Sequence, residues 1–287
     1  MKELTMRISI LSMEIDIDLN NKPWTPIGTY IAWNSPDNRA FKGHFDGNKH
    51  KIINLYINTN TIQYVGLFGY TTYNSSISNL HITGRVTNSV SGGAAGGFIG
   101  TGGSVIKNCS FDGEVSCPSG DAGGFAGELN YAEPIASKNS GIISGRNAGG
   151  IVGSAWSTPI TACYNEGSIS ASVYGGGIVG YYSDAGCEMK SCYNIGEVND
   201  TSGNGSAAIG AMLGADSFYP TYNCYVAKKY AVVSTNSEPN AVEVIFADGV
   251  WPTDTGEWKT TTSGGYWKDL GSWNNGTPVY PKLRWEE

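Results

Sequence analysis

The chain has 287 residues, of which 40% are hydrophobic and 15% charged, and its net charge is −7. That is enough apolar material for a sizeable core in one large domain or two ordinary ones, and the acidic balance excludes the Lys/Arg footprint of a nucleic-acid binder. No apolar run reaches the roughly 20 residues of a membrane helix, and Met1-Lys2-Glu3 does not lead into the apolar segment of a secretory signal, so the sequence reads as soluble.

In chain order, residues 1–60 read as an N-terminal cap with a first coil. Glu14-Ile15-Asp16-Ile17-Asp18-Leu19 alternates like a half-buried strand. Trp24-Thr25-Pro26-Ile27-Gly28 follows, and the step Asp46-Gly47-Asn48 signals a hairpin turn. Residues 61–227 hold a repeat. Its first phrase is glycine, two apolar residues, glycine: Gly66-Leu67-Phe68-Gly69, Gly97-Phe98-Ile99-Gly100, Gly124-Phe125-Ala126-Gly127, Gly150-Ile151-Val152-Gly153 and Gly177-Ile178-Val179-Gly180. The leading glycines are 31, 27, 26 and 27 residues apart, and Ala211-Met212-Leu213-Gly214 is a weaker copy. A second phrase follows each copy, as in Ile106-Lys107-Asn108-Cys109 through Gly113-Glu114-Val115. Residues 228–287 carry Trp251, Trp258, Trp267, Trp273 and Trp285, five of the eight tryptophans, and read as a capping segment over the last coil.

The repeat alternates short β-type runs with Gly, Asn and Ser turns and has no helical apolar periodicity. At about 27 residues it is too short for a propeller blade of ~40, and it lacks the leucine-rich pattern. The prediction is an all-β protein, a right-handed parallel β-helix (solenoid) with coils of about 26–31 residues stacked at the inter-strand spacing. An N-terminal hairpin cap and a Trp-rich C-terminal cap close its ends. The apolar pair of each phrase fills the interior, and its glycines permit positive φ or tight corners where a Cβ would clash. A phosphate-cradling loop would instead open a helix, and none follows.

Aligned columns assign the side chains. Leu55, Leu80, Cys109, Cys163, Cys192 and Cys224, with Ser137, form an inward column, so its four cysteines read as small buried hydrophobes; Cys117 and Cys187 fall in turns. A Cys163–Cys192 disulfide is open to the geometry if their coils are adjacent. No Cys/His spacing suggests zinc, and no metal or cofactor is expected. The next column, Tyr56, His81, Ser110, Lys138, Tyr164, Tyr193 and Tyr225, faces outward. Tyr164, Tyr193 and Tyr225 are the candidate ligand-binding residues, an aromatic ladder for sugar rings or a partner's apolar groups; the same stacking could simply tie neighbouring strands together. Asp112 and Glu114, like Asp16 and Asp18, lie ~6.6 Å apart by strand rise, within the range of inverting glycosidases, yet such pairs are common on solvated strands. His44, His50 and His81 form no Ser/His/Asp set, and no catalytic residue is assigned.

The run Phe41-x-Gly43-x-Phe45-Asp46-Gly47-Asn48-x-His50-x-Ile52-x-Asn54-Leu55, with Gly66-Leu67-Phe68-Gly69 and Ile77-x-Asn79-Leu80, resembles the GLUG-motif proteins over roughly residues 14–215. Tyr280-Pro281-Lys282-Leu283 is similar to the end segment of such chains. Later repeats depart from the pattern, with Phe-Ile, Phe-Ala or Ile-Val in place of Leu-Phe. The resemblance implies a bacterial repeat protein that is secreted or displayed at the cell surface; the motif also accompanies some immunoglobulin A peptidases, and it supplies no catalytic residues. The expected function is therefore a non-catalytic adhesion or binding module for glycans or host surface proteins, located extracellularly or on the cell surface. The alternatives are a carbohydrate-active enzyme on the same scaffold and a passive stalk of a larger surface protein.

Overall fold

The structure is a computed structural model and describes residues 10–32, 34–182, 187–203, 208–215, 221–227, 243–247, 249–261, 265–274 and 276–286. The expected boundary at residue 228 abuts a segment outside the described residues. The chain winds as a parallel β-solenoid. Among the described residues its strands sort into one sheet of 12 and one of 15, with two small two-stranded sheets near the C-terminus. Successive coils pair in parallel: Phe68–Ser78 lies beside Ile99–Lys107 in the first sheet, and His81–Asn88 beside Ser110–Gly123 in the second.

The coils turn between the sheets at two kinds of corner. The first is the residue before the Leu/Cys column: Asn79, Asn108, Ala136, Ala162, Ser191 and Asn223 all have φ between 47° and 55°. Asparagine tolerates this left-handed conformation best among non-glycine residues, which accounts for it in half of these positions. The glycine–apolar–apolar–glycine phrase forms the second corner. Of the two roles expected for its glycines, only close approach operates, because none has a left-handed φ. A Cβ on Gly150 would stand 2.2 Å from the Gly177 carbonyl oxygen and 2.6 Å from Asn165 Cγ. The apolar pair points inward as expected: Phe98, Phe125, Ile151, Ile178 and Met212 are fully buried, and the Phe98 and Phe125 rings stack 4.8 Å apart. Each such side chain contributes about 1.5–3 kcal/mol by burial.

A second internal stack was not anticipated. Asn139, Asn165 and Asn194 are fully buried and in register. Asn139 Nδ2 donates to Asn165 Oδ1 at 2.7 Å, and Asn165 Nδ2 to Asn194 Oδ1 at 2.8 Å. Each side chain also closes a loop onto the glycine two residues on, bonding both the N–H and the carbonyl of Gly141, Gly167 and Gly196. The ladder ends with Asn194 Nδ2 on the Ala211 carbonyl at 2.8 Å.

Three expectations need correction. Asp46-Gly47-Asn48 does not close a hairpin: His44–Asp46 belongs to the first sheet and Lys51–Thr59 to the second, so this turn is a corner between sheets. The N-terminal antiparallel contact lies instead between Thr29 and Arg39, bonded both ways at 2.7 and 2.8 Å. Glu14–Leu19 is not half-buried: only Ile17–Asp18 is strand, and it is exposed. Cys117 lies not in a turn but inside the strand Ser110–Gly123. All six cysteines are buried and none is in a disulfide; Cys163 and Cys192 are in adjacent coils, where the Cys163 N–H donates to Cys192 Sγ at 3.3 Å.

The Trp-rich segment does more than cover the last coil. Glu243–Phe246 extends the second sheet beside Cys224–Ala227. Trp258, Trp267 and Leu283 then form a separate buried cluster against the outer face of that sheet, with Tyr164, Tyr193 and Phe246. The segment runs back as far as Trp285, whose indole N–H donates to the Ala136 carbonyl.

Candidate functional site

The outward column exists and is in register, with one replacement: it runs Lys51, His81, Ser110, Lys138, Tyr164, Tyr193, Tyr225. Tyr56 pairs with Arg85 and Leu55 with Gly84, so neither belongs to its expected column. The cause is a longer corner, since Gly47 to His50 span what Asn79 and Leu80 span in the next coil.

Tyr164 and Tyr193 stack at 4.5 Å with an interplanar angle of 9°, as a ladder should, but they are only 3% and 1% exposed. The chain's own C-terminal segment occupies their face. Tyr164 Oη donates to Glu286 Oε2 and Tyr193 Oη to the Pro281 carbonyl, both at 2.7 Å, and Trp267 lies over both rings. Burial pushes both phenols well above their ordinary pKa. Tyr225, half-buried, stacks on Phe246 at 5.0 Å.

The uncovered end of the same column forms a cleft of about 390 Å³ between the solenoid wall and Trp285 and Glu286, with Lys49, Lys51, His81 and Lys138 on its walls. Lys138 Nζ is neutralised by Glu286 at 3.3 Å and Glu166 at 3.6 Å. His81 shares a 2.7 Å hydrogen bond with Ser110 Oγ, and burial, aided by Lys51 and Lys138, holds its pKa below the ordinary value. The cleft is weakly basic, and most of its charge is already paired or exposed.

A different groove is better built. Because the repeated phrase folds back on itself, the residues at its two ends are set side by side, one on each sheet. One row reads Tyr64, Ala94, Asp121, Asn147, Tyr174. The other reads Tyr70, Thr101, Glu128, Ser154, Tyr181, in which Thr101 Oγ1 meets Glu128 Oε2 at 3.1 Å. Four coil steps of ~4.8 Å make the rows roughly 19 Å long, the reach of a short oligosaccharide. Tyrosines stand at both ends: Tyr30 packs edge-on against Tyr64 and Tyr70 at 5.4 and 5.1 Å, and Tyr174 stacks on Tyr181 at 5.0 Å. The four row tyrosines are half-buried.

The middle of this groove is polar. A cleft of about 340 Å³ there is bounded by Asp121, Glu128, Asn147, Ser154, Tyr181 and Trp156, the last 50% exposed. Asn147 Nδ2 donates to Asp121 Oδ1 at 2.7 Å. Burial, reinforced by the charge of Asp121, pushes Glu128 up to about 7, and burial raises Asp121 as well. Asn147 Oδ1 has no hydrogen-bond partner although its residue is only 5% exposed.

The carboxylate pairs singled out from sequence behave as surface structure. Glu114 pairs with Arg85 at 2.8 Å. Asp16 accepts the Lys51 N–H at 2.9 Å and meets His50 at 3.1 Å, and Asp18 accepts from Asn54 at 2.8 Å; these bonds lower both pKa values. His44 is tied to Ser76 Oγ at 2.7 Å. Among the described residues no three His, Cys, Asp or Glu side chains cluster to hold a metal.

No protein-family model matches the chain. In fold it is similar to a solved structure from Bacteroides ovatus, provisionally named an immunoglobulin A1 protease, at TM-score 0.71 and 22% identity over 97% of this chain and 86% of that one. It is also similar to a structure named IgA1 protease, at TM-score 0.51 and 15% identity, over 83% of this chain and 20% of that one. At these identities the likeness is one of fold. A provisionally named Gly-rich membrane protein of Evansella cellulosilytica is 34% identical over 99 residues, which are 33% of this chain and 10% of that relative's length. Among the described residues no helix is long and apolar enough to cross a membrane.

Proposed function

We propose that this protein is a secreted or surface-displayed bacterial β-helix module that binds glycans in the two-row groove without transforming them. The observation that carries the reading is the arrangement around the repeated phrase: tyrosines at both ends of a roughly 19 Å double row and a polar centre lined by Asp121, Glu128, Asn147 and Ser154. Aromatic faces stack on the apolar faces of sugar rings, while carboxyl oxygens of Asp121 and Glu128 accept from their hydroxyls. A fold shared with proteins named immunoglobulin A1 proteases, and the resemblance to GLUG-motif surface proteins, support an extracellular setting and host glycoproteins as the source of the glycan.

The test is a screen of the purified protein on an array of host and bacterial glycans, with Tyr174→Ala/Tyr181→Ala alongside. Selective binding that the variant loses is the expected result. No binding to any glycan would leave the passive stalk as the better account, and shortening of a bound glycan would restore the enzyme.

A further inference from the structure

Among the described residues four aromatic side chains are exposed, and three of them share one corner of the first sheet: Tyr73 and Tyr131, each 68% exposed, and Trp156, 50%. The fourth, Tyr222, has Lys190 Nζ over its ring at 5.8 Å. Trp156 ends the strand Val152–Trp156, and Tyr131 follows the strand Ala126–Asn130. Asn130 pairs with Trp156, and the Tyr131 N–H donates to the Trp156 carbonyl at 3.1 Å. Tyr73 lies where Phe68–Ser78 shifts register against Ile99–Lys107. Gly103 sits between them: a Cβ there would stand 3.0 Å from Tyr73 Cα and 2.5 Å from the Asn130 carbonyl oxygen. Three coil steps of ~4.8 Å therefore carry all three rings, over roughly 14 Å.

Neither packing nor backbone preference accounts for a tyrosine at 131. Its φ is 53°, and among the described non-glycine residues with left-handed φ it is the one aromatic. A bulky residue is an outlier in that region, which suits asparagine or glycine better; one coil on, the equivalent corner residue is Ser157, at φ 42°. A large ring kept in a costly conformation and left in solvent points to a contact outside the chain. The corner is firm, because buried Thr158 donates to the Trp156 carbonyl at 2.7 Å. It is also continuous with the groove: the cleft bounded by Asp121 and Glu128 is bounded by Asn130 and Trp156 as well. Trp156 stands two residues beyond Ser154 on the same strand face, ~6.6 Å to the side of the second row. A chain lying along both rows passes beside this corner and reaches it only through a side arm.

We propose that the groove takes a branched glycan, whose main chain follows the two rows while a branch leaves at the centre and stacks on Trp156 and Tyr131, with Tyr73 at the far edge of the same surface. This inference rests on the proposed glycan binding and names the class of glycan. The rings stand among the amides of Asn74 and Asn130, a mixture that matches the apolar faces and hydroxyls of a sugar.

The experiment applies the full chain to an array that sets linear glycans, poly-N-acetyllactosamine and mucin-type chains included, beside their singly branched counterparts. The native chain should prefer branched members by about fivefold or more, as one or two stacked rings provide. Tyr131→Asn should lose that preference, keep its binding to linear members and hold or raise Tm, since asparagine suits the backbone there. Trp156→Ala should lose the preference too, and Tyr222→Ala should keep it. Equal binding of linear and branched members by the native chain would overturn this inference and leave the groove standing, as would a preference that survives both corner variants. A Tm lowered by about 3 °C or more in Tyr131→Asn would also overturn it, by making the ring a structural part. No binding to any member would overturn the proposed function, and this inference with it.

Discussion

Replacing Asn165 by Ala should damage this protein far more than the loss of three heavy atoms suggests. The side chain is fully buried and makes four hydrogen bonds. It accepts from Asn139 Nδ2 at 2.7 Å and from the Gly167 N–H at 3.2 Å, and it donates to the Gly167 carbonyl at 2.9 Å and Asn194 Oδ1 at 2.8 Å. At about 1 kcal/mol net for each bond, and with polar groups of Asn139, Asn194 and Gly167 then stranded where water cannot reach them, the loss is about 5 kcal/mol. Urea unfolding followed by circular dichroism measures it, with Asn58→Ala, at an exposed strand position, as a reference expected within about 0.5 kcal/mol of the native chain. A loss below about 1 kcal/mol for Asn165→Ala would refute the reasoning, because the ladder would then hold nothing that its neighbours cannot hold without it.

Other expectations follow from the same geometry. Gly150→Ala places a Cβ 2.2 Å from the Gly177 carbonyl, a backbone atom that cannot rotate away, and should lower stability by about 1–3 kcal/mol in the same assay. Tyr193→Phe removes the bond to the Pro281 carbonyl; about 1 kcal/mol should go, and limited proteolysis should release the C-terminal segment sooner. Burial pushes Glu128 from 4.5 to about 7, so the folded chain holds that proton more tightly than the unfolded one. Its contribution is therefore full below about pH 4.5 and is lost as pH rises through about 7, at most about 3 kcal/mol. The urea midpoint should decline over that window, and Glu128→Gln should flatten the decline. Burial also pushes Cys109, Cys117 and Cys163 up to about 12, so a thiol reagent should label them only as fast as the chain unfolds; rapid labelling in the native state would contradict the buried column.

The solenoid was legible because its period is written in the apolar and small residues that face inward, and the strand-to-strand spacing converts such a period directly into stacked columns. Register was harder to read. Two aligned phrases, Ile52-x-Asn54-Leu55 and Ile77-x-Asn79-Leu80, look equivalent, yet the longer corner at Gly47–His50 shifts the first coil and puts Lys51 where Tyr56 was expected. Similar letters outweighed the pairing because corners absorb insertions without leaving a trace in the core. Tyr164 and Tyr193 stack as the repeat spacing suggests, whereas Tyr225 stacks on Phe246, and the burial of the pair depends on a tertiary contact from residues more than 80 positions away in sequence, which no local pattern encodes. The groove was missed for the opposite reason. Its residues flank the repeated phrase at a nearly constant separation, as Asp121 and Glu128 do across Ala-Gly-Gly-Phe-Ala-Gly, and attention stayed on the phrase. Asp121, Asn147 and Tyr174 each stand three residues before the leading glycine of their phrase and share a row by that spacing, whereas Tyr64 stands only two before Gly66 and joins the row through strand pairing alone.

The central claim, that the two-row groove is the binding surface, is tested most directly by measuring association with an immobilised mucin glycoprotein for the native chain, Tyr174→Ala/Tyr181→Ala and Lys51→Ala/Lys138→Ala. The account predicts that the tyrosine variant loses binding by about tenfold or more, as expected when stacked aromatic anchors are removed, and that the lysine variant keeps it. Binding retained by the tyrosine variant and lost by the lysine variant would contradict the account and move the site to the cleft beside Trp285.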